Sequence, residues 1–235
     1  RGQGLADRLL DDPMVGHVEK FEDYQLDVAA LVEAAQELDL PKPYYLIGHS
    51  MGGAIGLRAL MEGLPVKAAA FSAPMWGIHL APHMRPAAWV LGYLMPMLGK
   101  GDKNPPGTTL ESYVLTAPFE DNTLTTDQPM FDMMTNQVDK YAALGLGGPS
   151  YTWLRESLIE ANTLAARPAP KTPILTFLGT NERIVRTKTI HQRMQTWENG
   201  TLVMVEGAEH EILMERPEIR NDAFDQMAKL FAAHT

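Results

Sequence analysis

The chain has 235 residues, 45% hydrophobic and 21% charged, which suits one large or two small globular domains and excludes a disordered chain. Its formal net charge of -9 and lack of basic clusters exclude broad nucleic-acid binding and tight docking on anionic membrane, both of which need a basic surface. Without cysteine there is no disulfide or thiolate chemistry and the redox compartment is left open; no apolar run nears the roughly 20 residues of a membrane span, and the first residues do not read as a signal peptide.

Arg1-Gly2-Gln3-Gly4 opens the chain without an initiator Met. A glycine-spaced loop of this kind suits a position after a strand, so further sequence is expected upstream. From Phe21 to Leu38 the apolar residues Phe21, Tyr24, Val28, Leu31, Val32, Ala35 and Leu38 recur at helical spacing, and Asp39-Leu40-Pro41-Lys42-Pro43 stops that helix. Tyr44-Tyr45-Leu46-Ile47 follows as a strand. Gly48-His49-Ser50-Met51-Gly52-Gly53 and the helical run Ala54–Met61 then complete a strand, sharp turn and helix. Gly-x-Ser-x-Gly in that context is a nucleophile elbow, which holds its Ser in a strained conformation clear of the sheet and keeps its neighbours small because Cβ atoms would collide. After the break Gly63-Leu64-Pro65, Val66–Ser72 reads as a buried strand parallel to the first.

Between about Met75 and Arg167 the alternation stops, and helical pieces are predicted around 87–98, 128–144 and 151–166. This insertion carries seven Met residues, among them Met75, Met95, Met97, Met130, Met133 and Met134, together with Trp76, Trp89, Trp153, Phe119 and Phe131. Two readings fit: a small core of its own, which Met commonly fills, or an adaptable lining for a flexible apolar ligand. Alternation resumes with strand Pro173–Gly179, helix Thr187–Trp197, strand Thr201–Val205 and helix Pro217–Ala233. The expected fold class is α/β, a mostly parallel sheet flanked by helices. It divides into core residues 1–74, a helical cap 75–167 and core residues 168–235.

Ligands of such sheets bind at the carboxyl ends of the strands, and three of those ends carry reactive side chains: Ser50, Glu182 and His210. A Ser hydroxyl needs a base, and that base needs a group to fix its tautomer. Of seven His residues, His49 is expected on the opposite side of the turn from Ser50. His17, His79, His83, His191 and His234 lack a strand-end setting, whereas His210 follows a strand in Gly207-Ala208-Glu209-His210. Glu182 is the one acid in the loop Gly179–Val185 and lies between Ser and His in chain order, as this architecture requires. Its plain alternative is a surface ion pair with Arg183. Glu209, beside the His, is expected to be a solvated neighbour.

These motifs resemble the α/β-hydrolase superfamily, and within it the bacterial lysophospholipase and monoacylglycerol lipase branch. The resemblance rests on Arg1-Gly2-Gln3-Gly4, on Gly16-His17-Val18 with Phe21-Glu22-Asp23-Tyr24, on the elbow, and on Gly179-x-x-acid-x-x-Val185 with Gly207-Ala208-Glu209-His210. It implies a serine hydrolase of lipid esters, lysophospholipid or monoacylglycerol, with Ser50 as nucleophile, His210 as base, Glu182 as orienting acid and the Met51 N–H as one oxyanion donor. It further implies no metal or organic cofactor, no nucleic-acid partner, and a cytoplasmic protein able to touch the membrane surface through its cap. Two departures stand out. Glu182 replaces the usual Asp, adding a methylene, and the family's first strands and His-Gly oxyanion loop are expected upstream of Arg1, leaving an apolar edge at Tyr44–Ile47. The same triad would serve an aminopeptidase, a thioesterase or an acyltransferase, and Glu120, Asp121 and Asp127 keep recognition of a free amine open. A non-catalytic binding protein of this fold is the rival from another class.

Overall fold

A computed structural model describes all residues, Arg1–Thr235. In chain order its helices are α1 (Tyr24–Glu37), α2 (Met51–Met61), α3 (Arg85–Met97), α4 (Tyr113–Thr116), α5 (Gln128–Lys140), α6 (Tyr151–Ala166), α7 (Thr187–Met194) and α8 (Pro217–Ala232). The strands are β1 (Leu46–His49), β2 (Ala69–Ser72), β3 (Ile174–Gly179) and β4 (Gly200–Val205). They form one parallel sheet in the order β1-β2-β3-β4, with Leu46 opposite Ala69, Ala69 opposite Ile174 and Ile174 opposite Gly200.

The chain divides into two compact units, one of residues 25–79, 123–127 and 161–235, the other of residues 1–24, 80–122 and 128–160. The first contains the whole sheet. Strand periodicity of two sorts its core onto two faces. Ala70 and Phe177 pack with Ala208, Ile212, Ala223 and Met227, so α8 covers one face, with Leu175 and Val203 joining the cluster. On the other face Phe71 meets Trp76 edge-on at 5.4 Å, Trp76 stacks on Trp197 at 6.0 Å, and the Thr176 hydroxyl meets Met194 Sδ at 3.3 Å. Burial on both faces explains why β2 and β3 read as nearly unbroken apolar runs instead of alternating ones.

The second unit is helical. Gly16 bridges Pro149, and His17 is buried with Nδ1 2.8 Å from the Ser150 hydroxyl, which in turn accepts the Trp153 N–H at 3.0 Å at the start of α6. Arg8 donates to the Ala143 and Gly145 carbonyls. The first 24 residues therefore group with these helices by specific bonds. His17 serves as a structural histidine.

Several element boundaries differ from the sequence expectation. β1 is shifted two residues toward the elbow, and β2 begins only at Ala69, because backbone pairing starts where Leu46 meets Ala69. α2 begins at Met51, so the elbow's own Gly52 and Gly53 are helical. The predicted helix over 128–144 ends at Lys140 and continues as a separate single turn, Ala142–Leu144.

Candidate active site

Each reactive side chain sits where a strand hands over to the next element. Ser50 follows β1 with φ 49° and ψ -118°, a positive φ that a residue with a side chain rarely adopts and that must be held by its surroundings. Three backbone bonds hold it. Its N–H donates to the Ser72 carbonyl at 3.1 Å, and its carbonyl accepts the Gly53 and Met75 N–H groups at 2.9 and 2.8 Å. The Ser50 hydroxyl makes no capping bond to α2.

The steric demand on the elbow falls differently from expectation. A Cβ on Gly48 would lie 3.0 Å from the Gly52 carbonyl oxygen and 3.1 Å from the Phe71 ring. One on Gly53 would penetrate Pro74, whereas one on Gly52 meets nothing within 4 Å. The tight approach is thus between α2 and the chain leaving β2, where the Trp76 indole N–H also donates to the Gly53 carbonyl at 3.1 Å.

Glu182 and His210 are brought together. His210 Nδ1 lies 2.7 Å from Glu182 Oε2, with the two side chains 4% and 0% exposed. The other carboxylate oxygen accepts the Ile184 and Val185 N–H groups at 2.5 and 3.0 Å. The extra methylene of Glu is absorbed by this fold-back onto its own loop. Burial pushes the Glu182 carboxyl up, but the hydrogen bond and charge of His210 and the two loop N–H groups outweigh it, so its pKa lies below the usual carboxylate value. With a carboxylate on Nδ1, the His210 ring is fixed in the tautomer that leaves Nε2 as the basic nitrogen.

The loops carrying this pair are stitched to each other. Thr180 N–H bonds the Val205 carbonyl at 3.0 Å, Asn181 N–H the Ala208 carbonyl at 3.0 Å, and Gly207 N–H the Thr180 hydroxyl at 2.8 Å. Gly179 makes room for this: a Cβ there would overlap the Ala208 and Glu209 backbone.

One expectation needs correction. Glu209 is not solvated: it is 9% exposed, it and not Glu182 takes the ion pair with Arg183 at 3.3 Å, and burial raises its pKa although the Arg183 charge opposes the rise. His49 lies beside His210. Its ring centroid lies 4.8 Å from that of His210, its Nδ1 is 3.1 Å from the Ser72 carbonyl, and its Nε2 is 3.0 Å from Glu211 Oε1. For Glu211, burial raises the pKa, yet the bond and charge of His49 and the charge of His210 prevail and lower it.

Sequence reasoning missed Glu211 and Glu215. Glu215 is fully buried and accepts from Thr126 N–H and hydroxyl and from Glu209 N–H at 2.9 Å, while His210 and Glu211 N–H groups bond the Thr123 and Leu124 carbonyls. The segment 123–127 thus belongs with the histidine loop. Adjacent carboxylates in Glu209, Glu211 and Glu215 were visible in the sequence, but nothing in their spacing distinguishes a buried clamp from a solvated face.

The family described as serine aminopeptidase, S33, matches residues 1–217. The chain belongs to that family. It is 32% identical over 247 aligned residues to lysophospholipase L2 of Escherichia coli K12, a match covering all of this chain and 71% of the relative. Among solved structures it resembles a monoglyceride lipase of Saccharomyces cerevisiae, with TM-score 0.73, 18% identity and coverage of 100% of this chain and 76% of the other. It also resembles the monoacylglycerol lipase of Paleococcus ferrophilus, with TM-score 0.71, 18% identity and 81% of that chain covered. These two likenesses establish the α/β-hydrolase fold. The chain is an α/β-hydrolase similar in sequence to a lysophospholipase, a hydrolase of the serine esterase and lipase type.

Proposed function

We propose that the protein hydrolyses carboxylic esters of lipids, lysophospholipids or monoacylglycerols, through an acyl-enzyme formed on Ser50. The buried His210–Glu182 bond at 2.7 Å, in the loops that follow β3 and β4 of the sheet whose β1 carries the elbow, is the observation that carries this reading. In it, Ser50 Oγ attacks the acyl carbonyl as its proton passes to His210 Nε2. The developing imidazolium is stabilised by the Glu182 carboxylate, and the alcohol leaves with the proton from Nε2. Water then repeats the sequence and releases the fatty acid. The Met51 N–H, in the first turn of α2, is assigned as one donor to the oxyanion.

The lipid assignment draws on the relatives and on α3. Val90, Tyr93, Leu94, Met97 and Leu98 recur at helical spacing and are all exposed, Met97 at 83%. A contiguous apolar stripe of this kind on a helix surface suits transient contact with a lipid aggregate. No helix is long and apolar enough to cross a membrane. The aminopeptidase reading of the family name loses one of its candidate amine ligands, since Asp127 is buried and faces Arg220 at 3.7 Å. The test is a fluorophosphonate probe followed by peptide mapping, with parallel turnover of a lysophospholipid, a monoacylglycerol and an aminoacyl anilide. Labelling at Ser50 with turnover of the lipids is the expected result. Labelling elsewhere, or preference for the anilide, would overturn it.

A further inference from the structure

Beside the proposed triad lies a second carboxylate–imidazole pair for which that chemistry has no use. We infer that His49, His210 and Glu211 form a binding site for one divalent transition-metal ion of the zinc class, and that the ion silences the hydrolase when bound. The silencing rests on His210 as the general base; the binding does not.

One donor atom from each of the three residues lies within 4.8 Å of the others. Zinc with nitrogen and oxygen ligands near 2.0–2.1 Å places neighbouring donors about 3.4 Å apart, so closing on one ion needs shifts of about an ångström. Glu211 Oε1 and His49 Nε2 already stand at 3.0 Å. Those two side chains are 22% and 29% exposed, which leaves them room to move, while His210 is anchored at 4%.

The partners behind the donors favour a metal in particular. His49 Nδ1 faces the Ser72 carbonyl at 3.1 Å and His210 Nδ1 faces Glu182 Oε2 at 2.7 Å. An imidazole held at Nδ1 by a carbonyl or a carboxylate presents a correctly oriented and more basic Nε2, which is how metal-ligating histidines are commonly held. Here two such rings sit 4.8 Å apart with planes at 61°, not stacked face to face, and the Glu211 carboxylate stands 3.0 Å from one of them. Two imidazoles and one carboxylate, with a fourth position for water, make the donor set of an open zinc site. Coordination takes the Nε2 lone pair of His210. While the ion is bound, that nitrogen cannot accept the Ser50 proton.

Metal-free protein titrated with Zn²⁺ by calorimetry is expected to bind one ion per chain. Hydrolysis of a soluble ester should fall along the same saturation curve and return with excess EDTA. His49→Gln and Glu211→Gln should each weaken binding at least about tenfold, whereas Ser50→Ala should bind as the parent does, and thermal unfolding with and without the ion checks that each variant is folded and bound. Absence of one-to-one binding, or binding indifferent to both His49→Gln and Glu211→Gln, would overturn the site. One-to-one binding lost in both variants but without inhibition would keep the site and overturn the silencing. Protein that binds zinc yet hydrolyses no ester before zinc is added would instead count against the proposed function.

Discussion

Both units bury some polar groups and leave some apolar ones outside, but the sheet unit gathers buried polar groups around His210 whereas the helical unit lines up exposed apolar residues along α3. In the first, groups that water would normally solvate are buried and paired, His210 at 3%, Glu209 at 9% and Glu215 fully. In the second, groups that water disfavours are left outside, with Val90 and Leu98 each 60% exposed. A reaction centre needs fixed distances, which buried and bonded polar groups provide. Selection of a flexible apolar ligand needs accessible surface, and that surface has no reason to be rigid.

The contrast predicts that variants of the sheet unit change turnover on any ester, while variants of the helical unit change it only on aggregated lipid. The largest effect is expected for Ser50→Ala, with loss of about 10⁶-fold in kcat as for triad residues that act as a unit, and an unchanged unfolding midpoint. Turnover near the parent's would put the nucleophile elsewhere. Glu182→Gln should lower kcat by up to about 10⁴-fold by permitting the wrong imidazole tautomer, with Glu182→Asp keeping much of the activity. Stopped-flow or single-turnover assays on a short ester measure both. Gly53→Ala should destabilise the protein by roughly 1–3 kcal/mol, the range for overpacking a filled site, read from urea denaturation; an unchanged midpoint would mean the Pro74 contact yields freely.

Leu94→Ser on α3 should weaken action on micellar or vesicular substrate by roughly tenfold, since withdrawing one Leu-sized side chain from an apolar surface is worth about 1.5 kcal/mol. Its kcat/KM on a soluble short ester should not change. Equal loss on both substrates would erase the distinction between the units. The smallest effect is expected for Glu209→Gln, with an unfolding midpoint in urea close to the parent's. One of its carboxylate oxygens is buried without a partner, and burial already favours the neutral form that Gln imitates.

How legible each part was follows from the kind of signal it leaves. The elbow and the ordered Ser, Glu and His announce themselves because strand, turn and helix each have a local pattern, and the parallel direction of the strands follows from the helices between them. Trp76 did not announce itself. It falls inside the predicted cap, yet it is buried in the sheet unit between Phe71 and Trp197, since a tryptophan in an irregular stretch carries no periodicity to show which side it packs on. The contact of His49 with His210 went unseen for a related reason. Alternation sends its side chain away from those of its sequence neighbours, but the histidine loop comes round to meet it, a long-range fact that no window around the elbow contains. Glu209 lies inside for the same cause, since the segment 123–127 is bonded to the chain at His210 and Glu211 just beyond it.

Gly179 has a consequence for how such an enzyme can drift and still work. Where the distance between an acid and its base is set by packed side chains, every substitution in the core resets it a little. Here the backbones of the two loops lie directly on each other at Gly179 and Ala208, with no side chain between them, so the spacing is set by main-chain atoms that are the same in every sequence. Exchanges within the cluster of Leu175, Val203 and Phe231 should therefore disturb His210 less than any side chain placed at Gly179 would. That makes the chemistry heritable across wide divergence, at the expense of one position that cannot change.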